Sequence, residues 1–205
     1  RIDHLIWAAP DLALGVEQME DLLGAKMSAG GVHPDWGTRN CLVSLGPTVY
    51  LEVIGPDPER TGPPPTLWGI GGMKAPRLVS WAATGVDLGA LTRRAAAVGV
   101  PLGDVRAGGR VTPEGHRLTW TLTEPETLLA GGVAPFFIDW GDTPHPATTA
   151  AAGGTLLELR GFHPDARRVR RTFGVLGITD VSVDTGDAPA LVARVETRGG
   201  VVEVR

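Results

Sequence analysis

Eight consecutive residues, His33-Pro34-Asp35-Trp36-Gly37-Thr38-Arg39-Asn40, put an imidazole, an indole, a hydroxyl, a guanidinium and an amide into one short stretch. Such a run suits a ligand-binding loop. His33 could move a proton near neutral pH, Trp36 could stack on or enclose a ligand, and Asn40 could fix a carbonyl, with Pro34 and Gly37 shaping the backbone. The same groups could instead satisfy one another as a structural plug. A second grouping, Phe136-Phe137-Ile138-Asp139-Trp140, reads first as a core strand. Asp139 is the exception, because a carboxylate in aromatic company needs a partner. His145, in Gly141-Asp142-Thr143-Pro144-His145-Pro146, reads as part of a rigid turn, with a lid over a cavity as the alternative.

Other candidates have plainer readings. Cys41 is the only cysteine, which excludes an internal disulfide and a cysteine-based zinc site; in Cys41-Leu42-Val43 it reads as a buried strand residue. Trp7, Trp81 and Trp120 are expected to fill space between sheet and helix, and His116 and His163 to lie at the surface. Arg167, Arg168, Arg170 and Arg171 form a solvated helix face. The pairs Gly108-Gly109, Gly131-Gly132 and Gly153-Gly154 match no phosphate-binding spacing, and no nucleophile elbow or Ser/His/Asp signature is present.

The elements that must position these residues repeat. Ile2 to Ala8 reads as a strand, the turn Ala9-Pro10-Asp11 follows, Leu12 to Leu23 has helical periodicity, and Gly24 ends the helix. The order returns with Leu78 to Thr84, Asp87, a helix through Val98 and Gly99. It returns again with Leu156 to Phe162, Pro164-Asp165, Ala166 to Leu176 and Gly177. Further strand candidates follow each helix: Asn40 to Leu45 and Thr48 to Ile54, His116 to Thr123 and Phe136 to Trp140, Ala190 to Glu196 and Gly200 to Val204. The repetition predicts an α+β fold of β-α-β-β-β modules, at about 1–55, 76–140 and 154–205, in one domain. A module's helix covers one face of its sheet, so the other face must pack on a second sheet, and paired mixed sheets then form a half-open barrel around a cavity. Gly55 to Pro76 and Gly141 to Gly154 read as connectors, the first anchored by Trp68.

Composition narrows the partners. With 205 residues, 42% hydrophobic, the chain can bury a sizeable core, while a formal charge of −4 offers no field for nucleic acid. No stretch approaches the ~20 apolar residues of a membrane span, and Arg1-Ile2-Asp3-His4 lacks a signal-peptide pattern. The expectation is a cytoplasmic protein with a small-molecule ligand and no nucleic-acid or membrane partner.

On these modules the chain resembles the vicinal oxygen chelate superfamily, and within it the glyoxalase-like domain family. The resemblance rests on Asp3-His4 in the first strand, the run His33 to Asn40, Tyr50-Leu51-Glu52-Val53-Ile54 with Pro56-Asp57-Pro58, and Phe136 to Asp142. It implies a cleft that often holds a divalent metal, and it spans lyases, ring-cleaving dioxygenases, epimerases and non-catalytic drug-binding proteins, so it does not choose a reaction.

In metal-binding relatives each module supplies one ligand from its first strand and one from its last, which here are His4 and Glu52. Strand alternation groups His4 with Ile2 and Ile6, and Glu52 with Tyr50 and Ile54. The second module offers Ser80 or Leu78 at the first place and Asp139 near the second; the third offers Glu158 and Glu203. The resemblance thus implies His4, Glu52 and Asp139 as ligands to Zn²⁺, Fe²⁺, Mn²⁺ or Ni²⁺. The alternative is that His4 and Glu52 hydrogen-bond each other or polar neighbours. Two functions remain open. One is a metal-dependent lyase, isomerase or dioxygenase in which Glu52 or His33 moves a proton. The other is a sequestering pocket lined by Trp36, Tyr50, Phe137 and Trp140 with Asn40 beside them. An odd number of modules leaves one sheet without a partner, so the third is expected to extend the main sheet or to form a homodimer contact.

Overall fold

The computed structural model describes residues 1–112, 115 and 117–205, with Val111 described by its backbone alone. The surface position expected for His116 lies outside the described residues. Three units follow one another in the same order. The first is β1 (Ile2–Ala8), α1 (Leu12–Leu23), β2 (Ser28–His33), β3 (Thr38–Ser44) and β4 (Tyr50–Pro56). The second is β5 (Arg77–Thr84), α2 (Leu88–Ala96), β6 (Arg106–Val111), β7 (Arg117–Leu122) and β8 (Phe136–Asp139). The third is β9 (Thr155–His163), α3 (Ala166–Leu176), β10 (Ser182–Thr185), β11 (Ala190–Thr197) and β12 (Gly200–Val204). Each helix starts where an aspartate carboxylate accepts the N–H three residues on: Asp11 from Leu14, Asp87 from Ala90 and Asp165 from Arg168, all at 3.0 Å. Gly24 and Gly177 end α1 and α3 in the left-handed conformation.

The first two units merge into one eight-stranded mixed sheet in the order β2-β3-β4-β1-β5-β8-β7-β6. Its edges, β2 and β6, come back to face each other, so the sheet is nearly closed, as the paired-sheet reading expects. The third unit does not extend it. β10-β9-β11-β12 form a separate sheet that packs behind the first. Leu159, Val169, Phe173, Leu191, Ala193 and Val195 share one core with Leu5, Val53, Trp81 and Phe137, and Phe173 meets the Trp81 ring edge-on at 6.2 Å. The third sheet therefore finds its partner within the chain, which removes the reason for expecting an intermolecular one.

Alternation along the strands separates two apolar layers. Leu5, Trp7, Val43, Leu51, Val53, Trp81, Ala83 and Phe137 face the helices and the third unit, while Ile6, Ile54, Ala82, Leu122, Phe136 and Ile138 face into the curve. Three strands have no counterpart among the expected ones: β2, β6 and β10, the last a four-residue run with one buried side chain. β2 carries Gly30-Gly31 and β6 carries Gly108-Gly109, residues that weaken a strand pattern, and each makes room for a neighbour. A Cβ at Gly108 would sit 2.3 Å from the Trp120 indole nitrogen. The stretch read as a loop from His33 to Asn40 is thus a hairpin, in which His33 pairs with Thr38 and Gly31 with Asn40. Trp120 also departs from expectation: it faces the concave side, its ring 5.2 Å from that of Trp140.

Candidate functional site

The concave face closes around a cavity lined by His4, His33, Trp36, Asn40, Tyr50, Glu52, Arg110 and Trp140, with Trp68, Trp120, Phe136 and Ile138 completing the wall. β1 and β4 run parallel in the register His4↔Tyr50 and Ile6↔Glu52, which sets His4, Tyr50 and Glu52 side by side. A bulge adds a fourth group. On β5, Ile2 pairs with Ala83 and His4 with Ala82, so Asp3 is an extra residue in β1. The bulge lets consecutive side chains reach the same neighbours.

Asp3 is fully buried and gathers donors. Oδ1 accepts from His4 Nδ1 at 2.8 Å and Trp140 Nε1 at 3.2 Å, and Oδ2 accepts from the Thr84 hydroxyl at 3.1 Å. His145 Nε2 lies 3.3 Å from Oδ2 without making a hydrogen bond to it. Burial alone would raise the Asp3 pKa; its contacts with His145 and His4 outweigh burial and hold the carboxyl well below the usual range. An ionised Asp3 assigns the His4 proton to Nδ1, which leaves Nε2 turned toward Glu52. Nε2 lies 3.8 Å from Glu52 Oε2. That is too long for a hydrogen bond, so both atoms keep their bonding capacity for a third group.

The other Glu52 oxygen is spoken for. Oε1 accepts from Asn40 Nδ2 at 2.6 Å, and Asn40 Oδ1 in turn accepts from Gly31 N at 2.7 Å and Arg110 Nη1 at 3.4 Å. Two donors at Oδ1 fix which end of the amide faces Glu52. Asn40, expected to hold a ligand carbonyl, is committed here to orienting Glu52. Among the described residues Oε2 accepts no hydrogen bond. Arg110, which no motif singles out, crosses from β6 to reach this bridge and is 8% exposed.

His33 packs its ring edge against Trp36, 5.9 Å away, and its Nδ1 sits 3.1 Å from the Thr38 hydroxyl. Burial, with Arg110 adding to it and Glu52 opposing, pushes its pKa down, so His33 is neutral at pH 7. Tyr50 lies flat on His4 at 4.5 Å, and burial, reinforced by Glu52 and Asp3, raises its pKa well above 10. His145 is part of a turn, since its Nδ1 accepts from Ala147 N at 3.2 Å. Its ring also packs edge-on against two lining side chains, 5.6 Å from Tyr50 and 5.9 Å from Trp140. The turn reading of the sequence accounts for His145, and its contact with Asp3 joins residues far apart in the chain.

Two expected site residues are elsewhere. Phe137 points to the helix side and packs in the rear core; its neighbours Phe136 and Ile138 line the cavity instead. Asp139 shares the Phe137 parity and accepts from Gly141 N at 3.0 Å at the sheet's outer end, away from His4 and Glu52. This corrects the ligand set. Superfamily members commonly use divalent metals, and one ion could touch both His4 Nε2 and Glu52 Oε2 at ordinary bond lengths of about 2.1 Å. A resident catalytic ion takes three protein ligands, however, and among the described residues no group of three or more His, Cys, Asp or Glu is placed to hold one. The donor set does not fit a resident Zn²⁺, Fe²⁺, Mn²⁺ or Ni²⁺.

The cavity is small. Its volume is about 50 Å³, whereas a vestibule that shares Leu42 and Arg110 with it and is bounded by Ser28, Thr149 and Ala150 has about 770 Å³. The cavity has room for a small group and the vestibule for a larger one.

Comparison with known proteins agrees with this architecture. A sequence model described as glyoxalase-like domain matches residues 2–176. No curated protein matches the chain. Among solved structures, a hypothetical protein from Staphylococcus aureus is similar over 100% of this chain and 98% of its own, at 13% identity and TM-score 0.66. Methylmalonyl-CoA epimerase from Mycobacterium tuberculosis is 22% identical, covering 72% of this chain and 91% of its own, with TM-score 0.43. The Streptomyces coelicolor epimerase is 19% identical, covering 70% and 96%, with TM-score 0.45. The match over most of its length shows that the chain belongs to the glyoxalase-like domain family of the vicinal oxygen chelate superfamily.

Proposed function

We propose that the cavity binds a small oxygenated organic molecule and that Glu52 moves a proton on it, as an isomerase or lyase would. The observation that carries this reading is the asymmetry of Glu52: Oε1 is tied to Asn40 at 2.6 Å, while Oε2 faces the cavity 3.8 Å from His4 Nε2. A base must be held still and yet keep one lone pair open, and this arrangement does both. Glu52 Oε2 takes a proton from a carbon next to the ligand's carbonyl. The carbonyl oxygen gains charge and is met by the Tyr50 hydroxyl, which its raised pKa keeps protonated. His4, with its ring set by Asp3, stands across from Glu52 to take up or return the proton. Neutral His33 is a second acceptor at the far wall.

A sequestering function is the second reading, favoured by the aromatic lining of Trp36, Tyr50, Trp68, Trp120, Phe136 and Trp140. Solvent-deuterium incorporation into dihydroxyacetone and pyruvate, followed by NMR in D₂O, separates the two. The wild type should exchange the carbon-bound protons faster than buffer, and Glu52→Gln should lower that rate by about 100-fold or more. Exchange at an unchanged rate in Glu52→Gln removes Glu52 as the base. Absence of exchange by the wild type leaves sequestration.

A further inference from the structure

Arg110 is unused by the chemistry just described, and its surroundings are unusual for a guanidinium. It is 8% exposed and lies at the junction of cavity and vestibule, lining both. Among the described residues it makes one side-chain hydrogen bond, the 3.4 Å contact to Asn40 Oδ1, and no carboxylate stands within 4.0 Å of it. A buried cation without a counter-ion is costly.

Neutralising Glu52 is an insufficient reason for Arg110. An arginine placed for that purpose would form the bidentate pair its planar fork allows, whereas here a neutral amide stands between the two charges. The bridge engages one of five N–H groups. Among the described residues no other nitrogen of the fork has a hydrogen-bond partner and none is a buried atom lacking one, so the rest of the fork is open to solvent or ligand. The chain also makes room for this placement: a Cβ on Gly30 would stand 2.0 Å from Asn40 Oδ1 and 2.7 Å from Arg110 Nη1.

We propose that Arg110 is an anion anchor, and that the ligand of this cavity carries a carboxylate seated on its guanidinium at the junction with the vestibule. A carboxylate fits better than a phosphate. Among the described residues one arginine and no lysine faces the site, Glu52 is in the same chamber, and the helices lie on the opposite face of the sheet, so a dianion would meet too little positive charge. The proposal names the ligand class for the site described above and rests on that cavity being the binding site.

Isosteric pairs test it: propionate against propionamide and phenylacetate against phenylacetamide, titrated into the protein and read by quenching of the cavity tryptophans, with inorganic phosphate as a third arm. The wild type should bind each acid about tenfold more tightly than its amide. Arg110→Gln should erase that ratio by weakening the acids more than the amides, and Arg110→Lys should restore part of it. Equal wild-type affinity for acid and amide overturns the proposal, even if the variants fail to fold. An acid preference surviving in Arg110→Gln, no saturable quenching by either acid, or phosphate binding tighter than both acids also overturns it. Glu52→Gln should keep the acid preference. An acid preference without deuterium exchange therefore sinks the catalytic reading alone, and exchange without an acid preference sinks this one alone.

Discussion

The Asp3 carboxylate reaches His4 because a bulge in β1 breaks the two-residue alternation that elsewhere decides which side chains face the cavity. The same rule, applied to one strand, already forbade placing Phe137 and Trp140 on one wall, since an odd and an even position of a strand face opposite ways. Asp139 fails for the same reason. Burial has measurable consequences at His33. Its folded pKa lies below the unfolded value of 6.5, so the unfolded chain binds the proton more readily. Its contribution is complete above about pH 6.5 and is lost as pH falls toward the folded value. Replacing His33 by Asn, which keeps a polar atom near the Nδ1 position, should flatten the fall in melting temperature between about pH 6.5 and 5. An equally steep fall in the variant would show that His33 is not buried neutral. Glu52 and Arg110, the charges acting on this ring, remain in the variant and make the comparison direct. Tyr50 offers a cleaner test, as the chain's one tyrosine. Its phenolate absorbance should be absent at pH 10 in the folded protein and emerge only with alkaline unfolding. Half-ionisation near pH 10 without unfolding would place Tyr50 in solvent.

At the scale of elements, the helices were legible and three of the strands, β2, β6 and β10, were not. Each helix announces itself by an aspartate N-cap, and α1 and α3 stop at a left-handed glycine, all local signals carried in the sequence. β2 and β6 carry their meaning across the fold instead. Their glycine pairs are spaces for Asn40, Arg110 and Trp120, visible only once the sheet has curved and its two edges meet. Gly30→Ala should therefore be out of proportion to its size. The added methyl displaces the bridge between Arg110 and Glu52, and a stability loss of about 1–3 kcal/mol is expected in urea denaturation. The acid preference of ligand binding should fall with it. Stability and ligand preference both unchanged would mean that the edges of the sheet do not close as described.

The whole molecule is a curved sheet with a cavity on one side and a second sheet on the other. That the third unit repeats the first two was legible. Where it docks was not, because its apolar face suits an extension, a dimer or a rear layer equally well. The structure gives the rear layer, so the three units should unfold in one cooperative transition. Phe173→Ala, which empties a site against Trp81, should lower stability by about 3–5 kcal/mol and move that single transition as a whole. A separate early transition confined to the third unit would contradict the shared core. Sedimentation at rising concentration addresses the homodimer expectation, which now lacks the uncovered sheet that motivated it. The central claim, that the concave face is a ligand site organised on Glu52, is tested most directly by soaking crystals with small carboxylates and ketones and locating the bound molecules. The account predicts density in the cavity, with an oxygenated carbon against Glu52 Oε2 and, for the acids, a carboxylate on Arg110. Fragments bound only behind the sheet or on the outer surface, with the cavity empty at saturating soaks, would contradict it.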